Sequence, residues 1–276
     1  MGESDKPAVT VVIPARDAAA VLPATLAALA GDDVVVVDNG SRDATAEIAR
    51  AHGARVVAEP RRSRARARNA GARAATADVL LFLDADCVPR PGWSEAMRRA
   101  IAEGADLAGG PIEWRTSEQP NAVERFDALW RLRPARAIAE GWTGTGNLAI
   151  RRDLFERLGG FDPSFVHAGE DVDLSRRAVA AGARLVLAED AVVSHAAERT
   201  RRGLLRRAFR HGHANAQLRR RFGPQAGRVY WRHPKPLVAG DWALRRFEIE
   251  DRTLLGVARL DYAGRMAGSL WATVVR

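Results

Sequence analysis

With 276 residues, 47% of them hydrophobic, the chain is long enough for one large domain or for a domain with an appended lobe. A single cysteine, Cys87, excludes an internal disulfide framework and a cysteine-rich zinc site. The net charge of +9 is local: eleven arginines and no acid lie between Arg199 and Arg232, leaving 32 basic and 34 acidic residues elsewhere, unlike a uniformly basic nucleic-acid-binding protein.

Residues 1–7 are short and polar, with no leader pattern. No apolar run nears the roughly 18 residues of a membrane span, so a cytoplasmic location is expected. Residues 8–13 read as a buried strand stopped by Pro14, followed by a helix over 18–30 with Leu22, Leu26 and Leu29 at helical spacing. Val34 to Val37 form a second strand, 43–52 a helix with Asp43 as its N-cap, and 55–57 a short third strand. An Ala/Arg helix over 64–75 precedes Val79-Leu80-Leu81-Phe82-Leu83, which runs into Asp84-Ala85-Asp86-Cys87. Alternating strands and helices without a hairpin signal predict a doubly wound, mostly parallel α/β sheet flanked by helices.

The carboxyl ends of parallel strands converge on one side of a sheet, so their polar residues line one crevice. These ends carry Pro14-Ala15-Arg16-Asp17, then Asp38-Asn39-Gly40-Ser41, then Arg61, Arg62, Arg64 and Arg68, then Asp84 and Asp86. Two carboxylates one residue apart, with no base between them, suit a hard divalent cation; a loop Asp capping the next helix is the alternative. No Gly-x-Gly-x-x-Gly follows the first strand, and there is no P-loop.

The second half begins with a helix over 92–104, an edge strand over 105–114 and a helix over 121–133. Trp114, Trp130 and Trp142 follow a less regular path, and such rings either stack on sugars or fill the core. Gly144-Thr145-Gly146-Asn147 is a glycine-rich turn entering a strand, where backbone can approach a ligand closely. Glu170, Asp171 and Asp173 open a helix ending at Gly182; three acids there also suit a helix dipole. Strands over 184–188 and 191–195 end at His195.

Together, Val11-Val12-Ile13-Pro14-Ala15-Arg16-Asp17, Val37-Asp38-Asn39-Gly40-Ser41, Ala67-Arg68-Asn69-Ala70-Gly71 and Phe82-Leu83-Asp84-Ala85-Asp86 resemble the family 2 glycosyltransferases of the GT-A fold, over residues 8–195. The resemblance implies a metal-dependent, inverting transfer of a hexose from a nucleoside-diphosphate sugar, with UDP as the default, to an acceptor hydroxyl. It implies a donor site of Pro14, Ala15, Arg16, Asp17, Asp38, Asn39, Arg68, Asp84 and Ala85. It makes Asp171 the catalytic base, Glu170 its neighbour orienting the acceptor hydroxyl, and Asp86 with His195 the metal ligands. A carboxylate and an imidazole suit Mn²⁺ or Mg²⁺, the imidazole favouring Mn²⁺. Trp142, Gly146 and Asn147 are the candidate acceptor residues. Structural roles are expected for Asn69, as a helix-to-loop tie, for Asp173, and for Cys87 as a small buried residue.

The expected division is a catalytic domain over 1–198 and a basic helical extension over 199–276. Residues 201–216 are two-faced, with Leu204, Leu205, Ala208, Phe209, Gly212 and Ala216 on one side and Arg202, Arg206, Arg207 and Arg210 on the other. This basic amphipathic stretch over 199–222 either packs on the core or lies on anionic lipid headgroups. Nucleic acid is not expected, since no aromatic platform interleaves the arginines. Residues 223–276, with helical patterns over 241–260 and 262–275, cap the core or pair two copies as a homodimer. The acceptor is a small molecule, a glycan or a lipid-linked sugar. A nucleotidyltransferase of related fold and a non-catalytic sugar- or nucleotide-binding module are the alternatives.

Overall fold

The computed structural model describes residues 7–130, 132–224, 226 and 252–274; of the helical pattern expected over 241–260, residues 241–251 lie outside them. Seven strands form the main sheet: β1 (Val9–Ala15), β2 (Val34–Asp38), β3 (Arg55–Ala58), β4 (Val79–Leu83), β6 (Leu107–Gly109), β8 (Asn147–Arg151) and β9 (Leu185–Leu187). Their order is β3-β2-β1-β4-β8-β6-β9. The β3-β2-β1-β4 half is parallel, while β8 runs antiparallel to both β4 and β6. A smaller sheet has the order β5-β10-β7, from β5 (Cys87–Pro89), β10 (Val193–Ala196) and β7 (Ile112–Arg115).

Successive strand residues point to opposite faces, and both faces here are covered. Val11, Ile13, Val34, Val36, Leu81 and Leu83 pack on one side; Val12, Val35, Val37, Leu80 and Phe82 pack on the other. The second face receives α3 (Arg64–Ala74), whose N-cap Ser63 accepts from Arg66 N–H. Gly71 permits the close approach of that helix. A Cβ there would lie 2.3 Å from Val12 Cγ1 and 2.9 Å from Val37 Cγ2.

The remaining helices are α1 (Leu22–Ala27), α2 (Thr45–Ala51), α4 (Trp93–Ala102), α5 (Ala122–Trp130), α6 (Pro134–Ala139), α7 (Arg152–Arg157), α8 (Glu170–Ala180), α9 (Arg201–Phe222) and α10 (Arg252–Val274). Several differ from expectation. The helix expected over 18–30 is regular only over α1. Asp43 stands one residue before the α2 N-cap, Ala44, and its carboxylate accepts from the N–H groups of Ala19 and Thr45. The edge strand expected over 105–114 is two strands in different sheets, parted at Gly110-Pro111, and β6 is internal rather than an edge. Proline cannot donate to a ladder, which explains the break.

Two compact units divide the chain. The first comprises Met1–Glu113, Leu132–Val166 and Glu170–His195; the second comprises Trp114–Arg131, His167–Gly169 and Ala196–Arg276. The second unit thus takes in two segments from before residue 198 as well as the C-terminal helices. Within it, Val123 and Phe126 of α5 pack with Leu204, Leu254 and Val257. The helices α9 and α10 meet through small residues: a Cβ on Gly212 would lie 1.9 Å from Arg265 O, and one on Gly268 would lie 2.0 Å from Phe209 O. The apolar side of α9, with Leu204, Ala208, Gly212 and Ala216 buried, is therefore not a free lipid-facing surface. Arg207, expected on the solvent side, is 9% exposed and engages Asp127 with both terminal nitrogens.

Candidate active site

All the predicted site residues lie in the first unit. The ends of β1, β2 and β4 are neighbours, with Ala15 paired to Asp38. Pro14 is half-buried, Ala15 is buried, and Arg16 and Asp17 are exposed. Asp17 adopts φ = 48°, a left-handed conformation that a short polar side chain tolerates. Its N–H donates to Ser41 Oγ, and its carboxylate accepts from Arg42 N–H. The two strand-end loops are thereby stitched together. Asp38 steadies its own turn by accepting from Ser41 N–H at 2.9 Å.

Beyond β4 the chain makes a tight turn in which Cys87 N–H donates to Asp84 O. The half-buried Ala85 anchors that turn, its carbonyl accepting from Thr25 Oγ1 of α1. The turn leads into β5, where Cys87 pairs directly with His195 of β10. Directly opposed residues on antiparallel strands share a face. Asp86 in the turn completes the group: its Oδ2 lies 3.3 Å from His195 Nε2. The ligand atoms of Asp86, Cys87 and His195 all fall within 4.8 Å of one another. A carboxylate, an imidazole and a thiol at this spacing form a donor set that fits a divalent cation.

Behind the turn lies Arg68 of α3, 2% exposed. One terminal nitrogen donates to Asp84 Oδ1 and the other to Glu170 Oε1, each at 2.7 Å. Burial opposes the guanidinium charge, but Asp84, Glu170 and Asp171 outweigh it and push the Arg68 pKa up. Its guanidinium also sits 5.8 Å from the centroid of Phe161, part of a ring cluster with Phe82 and Phe155. Arg68 therefore ties the strand-end turn to the first turn of α8.

Asp171 follows Glu170 at that helix start. Its carboxyl is pushed up to about 7, first by burial and then by the neighbouring Glu170 charge. A carboxyl tuned close to neutrality is what a general base requires. Two glycines bring backbone close to these groups. A Cβ on Gly144 would lie 3.7 Å from Asp171 Oδ2, and one on Gly146 would lie 3.3 Å from Asp84 Oδ2.

The family model for Glycosyl transferase family 2 matches residues 10–159. The chain belongs to glycosyltransferase family 2. That membership decides against the nucleotidyltransferase and the non-catalytic module. The glycosyltransferase is 33% identical over 230 residues to glycosyltransferase AglE of Haloferax volcanii, covering 78% of this chain and 75% of that one. It is also 33% identical over 253 residues to the pre-mycofactocin glycosyltransferase of Mycobacterium tuberculosis, covering 86% of this chain but 51% of the relative. It thus spans about half the length of that relative. Among solved structures, a mannosyltransferase of Pyrobaculum calidifontis in complex with GDP-Man and Mn²⁺ superposes with a TM-score of 0.66 at 19% identity, covering 97% of this chain and 87% of that one. Glucosyl-3-phosphoglycerate synthase of M. tuberculosis, in complex with Mn²⁺, UDP and glucosyl-3-phosphoglycerate, gives 0.56 at 23% identity, covering 80% and 81%. At these identities the likeness shows the GT-A fold.

The geometry reassigns four predicted site residues of this glycosyltransferase. Asn39 is 7% exposed and its amide is spent within the protein, donating to Glu59 O and Arg61 O and accepting from Ser63 N–H. Asn147 is 1% exposed, donates to Pro111 O and Ala191 O, and accepts from Trp93 Nε1. Both tie loops to strands, with both side-chain N–H donors spent inside the protein and the side chain buried away from the crevice. Trp142, 2% exposed, is a core ring without an open face for a sugar. Glu170, 4% exposed and held by Arg68, is a positioning residue rather than one that reaches an acceptor hydroxyl. Asn69 bonds Phe161 through both its N–H and its carbonyl oxygen, as the expected helix-to-loop tie. Asp173 is buried against Arg177. The Cys87 thiol was expected only to fill space; its place directly after Asp86, at the start of β5, was the available signal that its sulfur joins that group.

Proposed function

We propose that this glycosyltransferase is metal-dependent and inverting, and moves a hexose from a nucleoside-diphosphate sugar to an acceptor hydroxyl. UDP is the default donor nucleotide. The observation that carries the reading is the clasp around Arg68: one buried guanidinium joins Asp84, at the turn before the cation-suited trio, to the helix start bearing Asp171. A donor half and an acceptor half of one crevice are thus held in fixed relation, and such positioning supplies much of the acceleration in a two-substrate transfer.

Asp17 and Asp38, at adjoining strand ends, receive the nucleobase. Asp84 faces the ribose side, and Asp86 with His195, joined by Cys87, would hold Mn²⁺ or Mg²⁺. When bound, the cation neutralises charge on the departing diphosphate. Asp171 takes the proton of the acceptor hydroxyl as it attacks the anomeric carbon from the face opposite the leaving group. The Mn²⁺ and GDP-Man of one structural neighbour, and the Mn²⁺ and UDP of the other, support a cation and a nucleoside-diphosphate donor in this crevice. Among the described residues no helix is long and apolar enough to cross a membrane. The peripheral membrane contact expected of the basic stretch over 199–222 we keep as a proposal for the second unit, on the exposed arginines of α9.

The test is sugar transfer or donor hydrolysis with Mn²⁺ across UDP-, GDP- and dTDP-sugars, comparing wild type with Asp171→Asn. The expected result is a preference for one nucleotide, loss on adding EDTA, loss in the folded Asp171→Asn enzyme, and a product of inverted anomeric configuration. Full transfer by folded Asp171→Asn removes the base assignment. Donor binding indifferent to EDTA removes the metal.

A further inference from the structure

The apolar side of α9 is covered by α10, so the membrane contact assigned to the second unit needs another apolar surface. It is on α10. Met266, Leu270 and Val274 recur every fourth residue and are 37%, 60% and 80% exposed. Residues four apart lie on one helical face. Trp271 beside them is 43% exposed, with its ring centroid 5.9 Å from that of Phe209 and 5.4 Å from that of His213. Scattered exposed apolar residues need no explanation, but a contiguous stripe of large ones does.

Next to the stripe, the last turns of α9 and α10 enclose a groove of about 670 Å³, lined by Arg219, Arg220, Ser269, Ala272 and Thr273. Residues 269, 272 and 273 lie on the helical face adjoining the stripe, so groove and stripe are continuous around α10. Arg220 is anchored there by donating to Ala272 O at 2.9 Å. Arg219, Arg220 and Arg221 are all exposed. No acid occurs between residues 199 and 224. The single acid of α10, Asp261, is buried and held by Arg265.

We propose that this end of the helix pair docks on an anionic lipid bilayer. Met266, Leu270, Trp271 and Val274 enter the headgroup–acyl boundary, while Arg219 meets lipid phosphates at the mouth of the groove and Arg221, exposed in the same last turn of α9, adds to the cationic rim. Apolar insertion combined with cationic attraction is the means by which peripheral helices bind membranes, and a tryptophan suits the interface between them. A second copy of the chain is a poorer occupant. Packing stripe on stripe would bring together two arginine runs, and among the described residues of α9 and α10 there is no exposed acid to receive them. The proposal rests on the peripheral contact assigned above and is independent of the donor chemistry.

The experiment is sedimentation of the full chain with vesicles of phosphatidylcholine alone or mixed with phosphatidylglycerol. Wild type is expected to pellet with the anionic vesicles and to be released by salt. Arg219→Ala with Arg221→Ala weakens binding about thirtyfold. Leu270→Ser with Val274→Ser abolishes insertion, read as lost quenching of Trp271 fluorescence by lipid-borne quenchers, with Trp271→Phe as the blank. Both variants keep Mn²⁺-dependent donor hydrolysis in solution, so failure here is distinguishable from failure of the transferase reading. Equal pelleting with neutral vesicles, or variants that bind like wild type, overturns the proposal. So does a wild-type dimer in light scattering that Leu270→Ser with Val274→Ser dissolves, without vesicle binding. Inorganic phosphate that occupies the groove through Arg219, with vesicles unbound, assigns a free-anion site instead.

Discussion

Replacing Arg68 by Met keeps an unbranched, flexible stem and removes the guanidinium, isolating what the charged group does. In the native protein it makes charge-assisted hydrogen bonds of 2.7 Å to both Asp84 and Glu170. The two partners differ in solvent access. The Asp84 side chain is 40% exposed, so water substitutes for much of what it loses; that of Glu170 is 5% exposed and cannot rehydrate. Breaking a buried pair by deleting one partner costs about 3–5 kcal/mol, and nearly all of that cost here belongs to Glu170. The Arg68→Met enzyme should therefore lose about that much unfolding free energy in urea at pH 7.5. Adding Glu170→Gln should recover a large part of the deficit. A loss below about 1 kcal/mol at pH 7.5, or one unrelieved by Glu170→Gln, would refute the clasp.

Four further outcomes are expected. The kcat/KM of transfer should rise with pH on a limb with an apparent pKa near 7, the value to which burial and Glu170 bring Asp171, and folded Asp171→Asn should lack it. Because that folded value exceeds the ordinary 3.8, Asp171 lowers stability progressively as pH climbs from about 4 to 7, by at most roughly 4 kcal/mol, and Asp171→Asn should flatten this slope in urea titrations. Gly71→Ala places a methyl 2.3 Å from Val12 Cγ1 and should cost about 1–3 kcal/mol by lifting α3 off the sheet; an unchanged denaturation midpoint would contradict that packing. Asn147→Ala strands buried partners and should cost on the order of 3 kcal/mol with the acceptor KM unchanged, whereas a raised KM with normal stability would restore it to the acceptor site.

The strands of the parallel half were legible because each is a run of apolar β-formers, and their order placed Asp38, Asp84 and Asp86 at one edge. What a polar residue does once it arrives there depends on partners far along the chain. Asn39 meets a loop over twenty residues later, and Asn147 meets Trp93, 54 residues away. Composition at the strand end is the same whether an amide faces a ligand or a carbonyl. The arginines of the third loop were similarly indistinguishable as sequence. Only the packing of α3 through Gly71 selects Arg68 as the buried one, while Arg62 and Arg64 stay exposed. The apolar side of α9 was legible as a pattern, though Arg207 of the expected basic side is buried on Asp127, and the surface covering that apolar side is a helix beginning thirty residues beyond its end.

The pairing of Cys87 with His195 has a consequence for how the enzyme comes into being. The chain must traverse more than a hundred residues between these neighbours, so the sheet through β4 precedes the trio in synthesis and cannot by itself assemble it. Closing so long a loop is among the slower events available to a folding chain. A divalent cation held by these three side chains, as proposed, would bind the finished protein more tightly than its precursors, and would draw the folding equilibrium toward completion by mass action. Cation affinity would then gauge maturation: a chain halted before residue 195 carries the aspartate and the thiol but lacks the imidazole.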